Sequence, residues 1–150
     1  MKKKNTGKRL AEYNSIIKEN DELYHKAARN FGMSDCAFWI MYILREEKGN
    51  LTQSSICDAM YQPKQTVNSA LKKLEKEGYI SLEGTGGRNG KQINLTKKGT
   101  ELANQTIDKV IALEKKTFSG LTVEEQEIFI YLFHKYTDLL VANMQELFYK

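Results

Sequence analysis

The chain has one proline, Pro63, and six of its ten glycines fall between Gly78 and Gly99. Proline and glycine interrupt helices more strongly than any other residues. The long stretches on either side are therefore open to continuous helix, and the breakers gather where a turn or hairpin belongs. This distribution predicts an all-α chain with one small β element near its middle.

The apolar spacing agrees. From about Thr6 to Phe31, the residues Leu10, Tyr13, Ile17, Tyr24, Ala27 and Phe31 keep a helical period, and Gly32 ends the run. Ser34 reads as the N-cap of a second helix through Phe38, Trp39, Met41, Ile43 and Leu44. Thr52 caps a short third one carrying Ile56, Ala59 and Met60. Thr96 caps a helix expected to run unbroken to about Phe118, where Gly120 stops it. Thr122-Val123-Glu124-Glu125 has the form of a capping box before the last helix, which is rich in large apolar residues from Ile128 to Phe148.

The stretch PKQTVNSALKKLEKEGYI, Pro63 to Ile80, carries the functional signal. Pro63 suits the first position of a helix, where its missing N–H would have no partner. Val67, Ala70, Leu71 and Leu74 fall on one face, and Gly78 is a stop. The other face begins with amides and hydroxyls and ends with lysines. Short helices joined through Tyr61-Gln62 make a helix-turn-helix. Two β-prone runs, Tyr79–Leu82 and Gln92–Leu95, then flank a glycine-rich tip and predict a hairpin. A winged helix-turn-helix of this kind offers a helix sized for the major groove. Gln65 and Asn68 can pair with base edges, Thr66 and Ser69 with bases or phosphates, and Lys64 and Lys72 with phosphates. Thr52, Gln53 and Gln62 around the preceding helix, and Arg88, Asn89 and Lys91 on the wing, complete the candidate DNA contacts.

Charge follows the same division. Residues 50–99 hold eight Lys/Arg against four Asp/Glu, whereas residues 100–150 hold five against eight. The basic middle favours a polyanion and the acidic end repels one.

The segment Q-T-V-N-x-x-L-K-K-L-E-K-E-G-Y-I at residues 65–80, with K-x-I-x-L-T-x-x-G at Lys91, Ile93, Leu95, Thr96 and Gly99, resembles the MarR family of transcriptional regulators. The resemblance covers nearly the whole chain. It implies a homodimer that binds a palindromic site on double-stranded DNA as a repressor and is released by a small molecule or an oxidant. It also implies one MarR-like domain over residues 1–150. Residues 1–33 and 100–150 would be its dimerisation helices, and residues 34–99 its winged helix-turn-helix. The wing tip departs from the family pattern: Gly87 and Asn89 stand where the family's Asp and Arg usually do. Arg88, between them, is left as the candidate for the minor groove.

Tyr24, Trp39 and Tyr42 cluster in the first two helices and are candidates to line a pocket for a small apolar or aromatic effector. Cys36 lies in the first turn of the second helix. The dipole there lowers a thiol pKa, and the adjacent Asp35 opposes it, which makes Cys36 a candidate redox residue.

Other chemistry finds no purchase. A Walker loop ending in Gly90-Lys91 would need glycine at Thr85 and Ser or Thr at Gln92, and a dinucleotide fingerprint from Gly84 would need glycine at Asn89. His25 and His134 lack metal-ligand spacing, so no metal, cofactor or enzyme activity is expected. No apolar run approaches the roughly 18 residues of a membrane span. The basic start lacks an apolar signal region, and two cysteines suit a reducing compartment, so a cytoplasmic protein away from the membrane is expected. The alternative is a dimeric interaction module or adaptor on the same fold that does not bind an operator.

Overall fold

The computed structural model describes residues 2–47, 51–84 and 90–149. Within them the elements run α1 (Lys2–Asn30), α2 (Asp35–Glu46), α3 (Gln53–Met60), α4 (Lys64–Lys76), β1 (Ile80–Glu83), β2 (Gln92–Leu95), α5 (Lys97–Gln105), α6 (Ile107–Phe118) and α7 (Val123–Phe148). The chain divides into two units, Met1–Asp108 and Lys109–Lys150. No described helix is long and apolar enough to cross a membrane.

In the first unit the expected stops are built as the sequence indicates. α1 ends in a Schellman turn at Gly32, whose φ is +69°. The Gly32 N–H donates to the Arg29 carbonyl at 3.0 Å and the Met33 N–H to the Ala28 carbonyl at 2.9 Å. α4 ends the same way at Gly78 (φ +82°), with Tyr79 N–H donating to Leu74 O at 3.0 Å. Ser34 caps α2 by accepting from the Ala37 N–H at 3.1 Å. Thr52 caps α3 in a reciprocal box with Ser55. Pro63 falls one position earlier than expected. It is the N-cap of α4 rather than its first helical residue, with ψ of 131°, and its carbonyl accepts from Val67.

The core joins Phe38, Ile40, Met41 and Leu44 of α2 to Ile56 of α3, Val67, Leu71 and Leu74 of α4, and Ile80 and Ile93 of the hairpin. β1 and β2 pair antiparallel, with Ile80 opposite Leu95 and Leu82 opposite Ile93. A further ladder extends this pair: Ile93 N–H donates to Leu51 O at 2.8 Å and Gln53 N–H to Lys91 O at 3.0 Å, around an isolated bridge between Thr52 and Gln92. The base of the wing is thereby tied to the segment that launches α3.

The unbroken helix expected from Thr96 to Phe118 is instead two helices. Thr106 interrupts it at φ −124°, ψ −80°. Its hydroxyl donates to Leu102 O at 2.7 Å and its N–H to Ala103 O at 3.2 Å. A threonine that bonds back to its own helix competes with the regular ladder and is stiff at χ1. The apolar period continues across the break, so spacing alone did not reveal it.

In the second unit the Thr122–Glu125 capping box forms as read. Thr122 N–H donates to Glu125 Oε2 at 2.8 Å, and Glu125 N–H to Thr122 Oγ1 at 3.1 Å. The Gln126 amide adds bonds to the Phe118 and Leu121 carbonyls. α7 has no buried residue, and Phe129, Leu132, Leu139, Leu140, Met144, Leu147 and Phe148 are all exposed.

Candidate nucleic-acid interface

α4 is held by its apolar face and leaves its polar face open. Val67 and Leu71 are fully buried, while Lys64, Gln65, Thr66, Ser69 and Lys72 are exposed. These five stand where the sequence reading placed them. The Ser69 hydroxyl donates to Gln65 O at 2.9 Å, which leaves its oxygen free to accept. Lys73, on the same face, lies 4.0 Å from Glu77, so its charge is partly answered within the helix.

Asn68 differs from the group. It is half-buried, and its Oδ1 faces the Cys57 thiol of α3, with Sγ 3.7 Å away. Sequence reasoning missed this link, because the two residues lie on different helices and nothing local couples them.

Two further candidates have side chains engaged within the protein. The Thr52 hydroxyl accepts from the Ser55 N–H at 3.1 Å as a cap. Gln53 accepts the Lys91 N–H through Oε1 at 3.4 Å while its own N–H holds Lys91 O. Its side chain therefore clasps the wing base. Gly90 (φ +77°) fits this arrangement, since a Cβ there would meet Gln53 Cβ at 3.2 Å. Gln62 lines a cleft on the α1–α2 side. Lys91 is exposed. Arg88 and Asn89 lie outside the described residues.

That cleft has a volume of about 390 Å³. Tyr24 and Trp39 line it, their ring centroids 5.1 Å apart. Tyr42 packs on Trp39 at 5.3 Å but is not among the walls. The cleft is less apolar than the aromatic cluster suggested. Asp21, Glu22 and Asp35 stand around it with Lys18 and His25, and His25 Nδ1 contacts Asp35 Oδ2 at 2.7 Å.

Cys36 is half-buried and reduced. Burial, and then the nearby Cys57, push its thiol up, opposite to the lowering expected from a helix first turn. Elsewhere Arg45 of α2 forms a two-pronged pair with Asp108 at the start of α6, both contacts at 2.8 Å, and reaches Asn104 Oδ1 at 2.8 Å. The guanidinium holds the Asp108 carboxyl below its usual range.

Residues 31–88 match a model described as the MarR family. No curated protein matches the chain. Among solved structures, NMB1585, a MarR family regulator from Neisseria meningitidis, is similar over 92% of this chain and 97% of its own, with 22% identity and a TM-score of 0.77. The S. aureus MepR–DNA complex is similar over 85% and 93%, with 22% identity and a TM-score of 0.68. A MarR/EmrR family transcriptional regulator from Acinetobacter sp. ADP1 covers 89% and 97%, at 22% identity and a TM-score of 0.68. Residues 31–88 thus match the model of the MarR family, and the chain shares the winged-helix fold of these solved structures.

Proposed function

We propose that the chain is a dimeric repressor that binds a specific palindromic site on double-stranded DNA and is released by a small ligand. The observation that carries this reading is the exposed face of α4, where Gln65 and Thr66 precede Lys72 on a helix anchored by a buried opposite face. Such a face has side chains for base edges at its start and for phosphates behind. The likeness to MepR, solved as a DNA complex, supports the same use of the fold.

Dimerisation is assigned to residues 1–33 and 100–150, and DNA reading to residues 34–99. The exposed apolar residues of α7 support a second copy as their cover, because so long a row of large apolar side chains is costly in water. The ligand is placed in the cleft at Tyr24 and Trp39.

Selection of bound sequences from random duplex DNA tests the reading. A palindromic consensus with half-sites about one helical turn, roughly 10 bp, apart is expected. Equal affinity for random and selected duplexes at physiological salt would leave only an interaction module.

A further inference from the structure

The contact between α3 and α4 bears on which base the recognition helix selects. Asn68 lies on the same helical face as Lys64, Gln65 and Lys72, at spacings of three and four residues. A free asparagine at such a position pairs with adenine through both halves of its amide, the carbonyl accepting from N6 and the NH₂ donating to N7. Here the carbonyl half is turned inward. Oδ1 faces the Cys57 Sγ at 3.7 Å, within reach of a thiol donor, and both residues are half-buried. Since Oδ1 and Nδ2 project from opposite sides of the amide carbon, turning the oxygen toward α3 turns the NH₂ away from it.

We propose that Cys57 is a positioning residue for DNA reading: its thiol holds the Asn68 carbonyl against α3, so Asn68 presents only N–H donors and selects an acceptor-bearing base edge over cytosine. The matching edges are purine N7, guanine O6 and thymine O4. Cytosine offers a donor at N4, and donor would face donor. Adenine is bound through N7 alone and holds no advantage over guanine. The inference rests on the DNA-binding reading above and specifies what one residue of that site reads.

The test is selection from random duplex DNA with the full-length wild type and four variants, each melted beforehand by circular dichroism. Asn68→Ala identifies the base position that depends on Asn68. At that position the wild type is expected to disfavour cytosine and not to single out adenine. Cys57→Ala frees the amide to rotate and should relax the preference there by about three- to tenfold, the worth of one ordinary hydrogen bond, with other positions unchanged. Cys57→Ser keeps a donor and should retain the wild-type preference. Asn68→Asp presents an acceptor outward and should move the preference toward cytosine. A merely structural role for Cys57 would lower affinity for all sequences alike and leave the preference intact.

An unchanged preference in Cys57→Ala, or a strict wild-type choice of adenine at the Asn68 position, would overturn the proposal. If Cys57→Ala fails to fold, Asn68→Asp decides: no shift toward cytosine overturns it. A wild type with no consensus at all would instead bring down the DNA-reading assignment beneath it.

Discussion

Gly99 lies so close to Tyr79 that a Cβ on it would sit 1.9 Å from the Tyr79 carbonyl oxygen. The same oxygen accepts from the Thr96 N–H at 3.1 Å, while the Thr96 hydroxyl donates to Gly78 O at 2.6 Å and accepts from the Gly99 N–H at 3.0 Å. The start of α5 is thus seated on the residues that leave α4. Backbone meets backbone here, so no flexible side-chain end can yield. Gly99→Ala is expected to destabilise the fold by about 1–3 kcal/mol, the usual range for overpacking. A urea midpoint unchanged from wild type would contradict that seating.

The Arg45–Asp108 pair predicts an acid sensitivity. The Asp108 pKa is lowered from 3.8, chiefly by the hydrogen bond to Arg45. A depressed carboxyl contributes stability above its unfolded pKa, and that contribution is lost as pH falls through the folded value. The two side chains are 31% and 35% exposed, so water screens the pair and about 1 kcal/mol at most is expected. Arg45→Met should lower stability at neutral pH, and its gap to wild type should narrow as pH falls below 3.8 and through the lowered Asp108 value. A gap constant from pH 7 to pH 2, followed by chemical denaturation, would show that the pair contributes through packing alone.

Readers and anchors on α4 should separate. Gln65→Ala should cost about 1–3 kcal/mol on the preferred site and relax one base position. Lys72→Ala should weaken all duplexes alike and reduce the log–log salt slope by about 0.9. Fluorescence anisotropy on specific and scrambled duplexes across a salt series measures both. Identical uniform losses would mean that Gln65 reads no base.

The apolar face of α7 should respond to charge. Leu140 and Met144 are one turn apart and both are exposed. The double variant Leu140→Glu, Met144→Glu should sediment as a monomer and bind a palindromic duplex far more weakly than wild type. A dimer that persists by sedimentation would place the interface elsewhere.

Trp39 is the only tryptophan, so its emission reports on the cleft. With Asp21, Glu22 and Asp35 around the rings, an aromatic cation should bind more tightly than an aromatic anion of similar size. If the ligand releases DNA tenfold, the coupling is about 1.4 kcal/mol, and DNA must weaken the ligand by the same factor. Titrations of Trp39 emission with and without the selected duplex check the reciprocity. A ligand bound equally well in both would show that the cleft does not control DNA binding.

What could be read from sequence was local in origin. The stops at Gly32 and Gly78 and the caps at Ser34, Thr52 and Thr122 depend on residues a few positions apart, and they form as the sequence indicates. The buried face of α4 follows from a single period. What escaped was non-local or balanced. The break at Thr106 turns on whether one hydroxyl bonds back, which apolar spacing does not register. Gln53 looked free to meet DNA because its partner, Lys91, lies 38 residues away. The link from Cys57 to Asn68 escaped because the two residues belong to successive helices. The aromatic cluster was legible, but the carboxylates beside it came from two helices whose pairing the sequence does not state.

The ladder between the base of the hairpin and the start of α3 works as the pivot of a caliper. Leu51 with Ile93 and Gln53 with Lys91 set the spacing there through backbone bonds, which side-chain changes alter little. On the reading proposed above, a ligand that shifts α3 would therefore carry the base of the hairpin with it.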